Sequence, residues 1–175
     1  SGELHGGANY EVMRMLLDIK TEENVESYIK EKFAKNERIM GMGHAVYKTV
    51  DPRSQVLKEL SKTLSEKTGQ PWYDITSKVE RVTAELMKKD KGVEIFPNVD
   101  LYSASVYYML GIPMDLNTPI FAISRAAGWA AHIIEEKFAE AAPKAMLYRP
   151  KANYVGKYAG PQGSKYIPIE KRTKK

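Results

Sequence analysis

The sequence predicts an all-α fold. Apolar residues recur at i, i+3, i+4 and i+7 in several stretches, Gly and Pro punctuate the joins between them, and only KYIPI near the C-terminus alternates with a period of two. The first periodic stretch places Val12, Met15, Leu16 and Ile19 on one face and predicts a helix from about Ala8 to Lys20. Thr21 is read as the N-cap of a second helix with Val25, Tyr28, Ile29 and Phe33 inward, ending near Asn36. The segment RIMGMGHAVYKTVDP, from Arg38 to Pro52, is too irregular for a helix and too rich in Gly for a strand, so it reads as a functional loop.

Periodicity returns with Val56, Leu57, Leu60 and Leu64, is broken at Gly69 and Pro71, and resumes with Ile75, Val79, Val82 and Leu86, giving two amphipathic helices and a short turn. KKDKGVEIFPNVD is a second loop that closes on Asp100, read as an N-cap, and Leu101 to Leu110 forms a helix stopped by Gly111 and Pro113. The last helix carries an Asn/Thr cap and Pro119 in its first turn, followed by about twenty residues apolar on most faces, a pattern that expects burial on more than one side.

Apolar residues make up 43% of the 175 and charged residues 28%, the balance of an ordinary globular protein. With no cysteine, disulfides, thiolate zinc sites and cysteine nucleophiles are excluded. No stretch approaches the ~20 apolar residues that cross a bilayer, and no signal-peptide pattern opens the chain, so the expectation is a cytoplasmic protein without a membrane partner. The net charge of +5 fits either a phosphate-binding patch or a solvated surface. The lysines are scattered rather than gathered on one helix or groove, which argues against nucleic acid, although a basic helical binding module remains the alternative from another class.

Several ionisable residues stand out for their settings. His5 stands before two glycines at the mouth of the first helix, where a histidine kept neutral by the helix N-terminus can donate to a carbonyl or enolate oxygen, or can simply pack. His44 lies in the irregular loop within ten residues of Lys48 and Arg53, a set of donors suited to carboxylates or phosphates. Asp100, beside Phe96, Leu101 and Tyr102, reads as a cap or as a general base in an apolar setting. Arg125 falls inside the most apolar helix, where an unpaired guanidinium is costly to bury, and so needs an anion from the protein or from a substrate; Arg149 follows a helical stretch and can serve the same end, whereas His132 reads as structural. The three histidines form no local ligand motif, so no metal is expected.

Taken in order, LHGGAN, GMGHAVYKTVDPR, NVDLYS, SRAAGWAAH and YRPKANYVG resemble the signature segments of citrate synthases over essentially the whole chain, and PQGSKYIPIEKR resembles their compact archaeal and bacterial C-termini. The resemblance implies condensation of acetyl-CoA with oxaloacetate and water to citrate and CoA, in the tricarboxylic acid cycle, with no cofactor and no metal. It assigns the enolate of acetyl-CoA to His5, the methyl proton to Asp100, the ketone of oxaloacetate to His44, its carboxylates to Arg53, Arg125 and Arg149, and a CoA phosphate to Lys48. Arg149 would reach a neighbouring subunit's site, which implies a homodimer. The close relative 2-methylcitrate synthase, which takes propionyl-CoA, is the rival within the class, since one methylene is worth only about 1–3 kcal/mol of discrimination. A non-catalytic scaffold is a third reading.

The same resemblance divides the chain into residues 1–7, an active-site segment of the large domain, residues 8–110, the helical small domain, and residues 111–175, the C-terminal part of the large domain. It implies that the upstream large domain is missing, that the fragment alone is inactive, and that the helix from Pro119 to Phe138 stays exposed unless another chain covers it. Ser1 and Gly2 are read as native or as a tag remnant.

Overall fold

A computed structural model of the chain describes residues 7–138 and Lys171. Among the described residues the regular elements are all helical: α1 (Ala8–Ile19), α2 (Val25–Ala34), α3 (Pro52–Thr68), α4 (Trp72–Lys91), α5 (Val99–Met109) and α6 (Asn117–Phe138), with one-turn 3-10 helices before α2 and α6. The chain divides into two units, Ser1–Ala131 and His132–Lys175. KYIPI, His5 and Arg149 lie outside the described residues.

The first unit is organised around α5. Its residues from Leu101 to Val106 are all buried, because α1, α3 and α4 each pack against it. A helix enclosed on several sides has no polar face to present, which fits the run LYSASV of apolar and small residues. From α1 come Val12, Met13 and Leu16, each 0% exposed, and from α4 Ile75 and Val79; burying such side chains stabilises the fold by roughly 1.5–3 kcal/mol each. α2 packs on α4 through Val25 and Ile29.

Three local expectations are corrected. Thr21 makes no capping hydrogen bond; a 3-10 turn at Glu22–Asn24 intervenes, and α2 starts at Val25. Asp100 is not the N-cap of α5: Asn98 is, its side chain accepting from the Asp100 N–H, and Asp100 occupies the first turn. The fully buried residues of α3 are serines rather than aliphatics, and of the four apolar residues expected inward Leu57 and Leu64 are only half-buried. Ser54 and Ser61 are buried while Val56 and Leu60 are 46% and 48% exposed, since the Ser61 hydroxyl pairs with that of Ser105 on α5 at 2.9 Å and small side chains let the two helices approach closely.

On α6 the described residues are exposed over most of the helix surface, Ile123 at 74% and Trp129 at 52%. Asn117, at its start, is buried and donates to Asn9 Oδ1 at 2.6 Å; Asn9 in turn donates to the Ser103 hydroxyl, joining the beginnings of α1 and α6 to α5. No helix among the described residues is long and apolar enough to cross a membrane.

Candidate active site

The loop between α2 and α3 meets the loop before α5. Met42 and Pro97 form an isolated antiparallel bridge, the Gly43 N–H donates to Phe96 O at 2.8 Å, and the Asn98 N–H donates to Gly41 O at 2.9 Å. Gly41 is required by this closeness: its φ is +82°, and a Cβ there would stand 2.9 Å from Leu101 Cα. Asn98 adds two side-chain bonds, Oδ1 accepting from the Asp100 N–H at 2.9 Å and Nδ2 donating to Gly43 O at 2.8 Å.

These contacts bring His44 and Asp100 to the wall of one cleft of about 820 Å³, whose apolar lining includes Phe33, Met42, Met87 and Ile95. Thr83 also lines it, its buried hydroxyl without a partner among the described residues. Within the loop, His44 Nδ1 accepts from the Val46 and Tyr47 N–H groups, both at 3.0 Å. A nitrogen that accepts two N–H bonds carries no proton itself, so these partners assign the proton of the neutral ring to Nε2, which is left as a donor. The Tyr47 ring stacks on the imidazole with centroids 4.3 Å apart and fixes its plane.

Burial pushes the Asp100 carboxyl above the ordinary carboxylate range; the Arg53 charge opposes this, Asp51 adds to it and His44 opposes it more weakly. A carboxylate held in this way is a stronger base than one in water. Arg53 is steered by Asp51, the N-cap of α3, which accepts from the Arg53 backbone N–H and Nε at 3.0 Å each and from Nη2 at 2.7 Å. Burial alone would raise the Asp51 carboxyl, but the hydrogen bonds and charge of Arg53 outweigh it and hold it below its usual value.

Of the residues singled out from sequence, the structure thus brings His44 and Asp100 to the cleft wall, with Arg53 outside the lining but near enough for its charge to act on Asp100. Lys48 is exposed in the same loop and is not part of the cleft wall. Arg125 is exposed on α6, so the expectation of a guanidinium buried in an apolar helix is not met in this chain. In the second unit, His132 is exposed too, with Nδ1 3.5 Å from Glu135 Oε2. Sequence reasoning missed Asp51 and Asn98. The first was signalled by an Asp immediately before a Pro, the pairing of N-cap and first helical residue; the second by an Asn preceding the helix, a role given instead to Asp100.

Comparison with known proteins identifies the family. Residues 1–151 match the family model of the citrate synthase C-terminal domain. The chain is 48% identical over 172 residues to citrate synthase 2 of Bacillus subtilis, an alignment that covers 98% of this chain and 42% of that protein. It is 43% identical over 157 residues to the citrate/2-methylcitrate synthase of the same organism, covering 89% of this chain and 39% of the relative. Among solved structures, the ternary complex of Thermoplasma acidophilum citrate synthase with carboxymethyl coenzyme A and oxaloacetate superposes with a TM-score of 0.71 at 37% identity, covering 98% of this chain and 43% of that one. The chain spans less than half the length of these relatives. It belongs to the citrate synthase family and corresponds to that family's C-terminal domain.

Proposed function

We propose that the polypeptide carrying this chain is a citrate synthase, an acyltransferase that joins acetyl-CoA to oxaloacetate. The observation that supports it most is the pairing, in one cleft, of a raised carboxylate, Asp100, with a histidine whose Nε2–H is free to donate, His44. Asp100 takes a proton from the acetyl methyl group, and His5 donates to the oxygen of the enol or enolate that results. His44 Nε2–H polarises the ketone of oxaloacetate, the new carbon–carbon bond forms citryl-CoA, and water then cleaves the thioester to citrate and CoA. Preorganised donors facing developing negative charge do this work without reorganisation.

Arg53, already aimed by Asp51, holds a carboxylate of oxaloacetate, with Arg125 and Arg149 as the further cations and Lys48 as a contact for a CoA phosphate. In this reading residues 8–110 are the small domain, residues 111–175 return to the large domain, and Arg149 serves the site of a partner in a homodimer. The polypeptide works in the cytoplasm, within the tricarboxylic acid cycle.

The test is release of CoA thiol from acetyl-CoA with oxaloacetate present, using the full-length polypeptide that carries this sequence. Activity lost in Asp100→Ala supports the reading; activity that survives the substitution overturns the role of the base, and no release from acetyl-CoA or propionyl-CoA overturns the enzyme. The 43% identity to a citrate/2-methylcitrate synthase is the reason to run propionyl-CoA beside acetyl-CoA.

A further inference from the structure

We propose that Asn98 is a positioning residue that locks the His44 loop to the start of α5, so that a single side-chain amide sets the spacing between the two acting groups. The inference rests on the roles given above to His44 and Asp100. Both ends of the amide are used: Oδ1 accepts from the Asp100 N–H at 2.9 Å, and Nδ2 donates to the Gly43 carbonyl at 2.8 Å, one residue before His44.

Capping alone does not require asparagine. Asp and Ser cap helices about as well as Asn, yet a carboxylate is acceptor-only, and a Ser hydroxyl is too short to reach both sides of the gap. The main-chain bonds that flank the amide, Asn98 N–H to Gly41 O and Gly43 N–H to Phe96 O, hold the strands of the two loops but leave the Gly43 carbonyl itself to the side chain. That carbonyl fixes the peptide leading into His44, and the Val46 and Tyr47 amides that set the His44 tautomer follow directly behind it. Asn98 therefore acts on the chemistry through two neighbours rather than by touching the reacting atoms.

The test compares Asn98→Ser and Asn98→Asp with the parent in the full-length polypeptide. Both variants keep an α5 cap but lose the bond to the Gly43 carbonyl, so each melts a few degrees below the parent and stays folded at the assay temperature. With the His44 loop released, kcat falls roughly 10- to 100-fold, the scale of a misplacement near 1 Å, while KM for each substrate changes by less than about threefold. A purely structural role would make activity follow stability and leave kcat alone in the variant that remains folded. Amide hydrogen exchange provides a readout independent of turnover: in Asn98→Ser, Val46 and Tyr47 lose protection while Asp100 keeps it.

Unchanged kcat together with unchanged exchange at Val46 and Tyr47 overturns the inference. If the parent itself releases no CoA, the enzymatic reading fails separately, and the exchange pattern alone decides whether Asn98 anchors the loop. Asn98→Asp also places a negative charge beside Asp100, so Asn98→Ser carries the decision on kcat, and a loss of activity in it that only tracks the loss of folded protein overturns the inference.

Discussion

Replacing Gly41 with Ala tests the close approach on which the site depends. At φ +82° an L side chain sits in the left-handed region, at a cost of about 1–2 kcal/mol. The added Cβ would also lie 2.9 Å from both Cα and Cβ of Leu101, a residue 0% exposed at the centre of the core. Backbone of an enclosed helix cannot rotate aside as a side-chain tip can, so a further ~1–3 kcal/mol of overpacking follows. Gly41→Ala should therefore destabilise by about 2–5 kcal/mol in total. Gly69→Ala is the internal control: φ is +68° there, but nothing lies within 4 Å of the added Cβ, leaving only the conformational cost of about 1–2 kcal/mol. Urea unfolding of the 175-residue chain, followed by far-ultraviolet circular dichroism, gives both values from the shift in midpoint at constant m. If Gly41→Ala costs no more than Gly69→Ala, the contact with Leu101 does not constrain the loop, and close approach is not what makes glycine necessary there.

Three further outcomes are expected. Because the folded pKa of Asp100 is raised, the folded state holds more protons than the unfolded one between the two pKa values, and stability falls as pH rises through that window; Asp100→Asn should raise the melting temperature at pH 7, with the gain vanishing in acid, and an equal or lower melting temperature at pH 7 refutes the burial penalty. Ser61→Ala should cost about 1 kcal/mol, because Ser105 keeps its bond to Tyr102 O at 3.0 Å; chemical denaturation checks this, and a loss above ~3 kcal/mol would mean that the pair carries more than one hydrogen bond. The exposed apolar surface of α6 should make the chain bind a hydrophobic-surface dye, with emission reduced by Ile123→Glu combined with Trp129→Glu; undiminished emission places the dye elsewhere.

The helices most legible in the sequence were those whose packing follows water-to-core transfer alone. In α1 and α4 the apolar spacing named the buried residues Val12, Leu16, Ile19, Ile75 and Val79 directly. In α3 the same rule was right in part: Leu57 packs on the core, but Val56 and Leu60 face out, because the contact with α5 is held by hydroxyl pairing and close approach, and Ser54 and Ser61 carry no hydrophobic signal. His44 and Asp100 were legible from chemistry-bearing residues beside Gly-rich or capping positions. Asn98 was not, since its part depends on Gly43, 55 residues away along the chain, and no local pattern reports such a contact. The expectation that Arg125 needs an anion came from α6 being apolar all round; in this chain that helix is mostly exposed, and the guanidinium is hydrated at no comparable cost.

The strap between Gly43 and Asn98 also sets an order of events during folding. Its ends are separated by the whole of α3 and α4, whose turns form within their own length, so the loop-closure entropy of joining the ends is recovered only after those helices have docked. The strap then belongs to the native side of the rate-limiting barrier, and its loss accelerates unfolding while leaving the refolding rate nearly untouched. Stopped-flow kinetics of Asn98→Ser, which deletes the bond to Gly43, should give a φ-value near zero, and a value near one would mean that the loops meet first. A loop fastened last is also the part of the molecule that opens first, so the His44 loop detaches in partial unfolding events that leave the α3–α5 core intact.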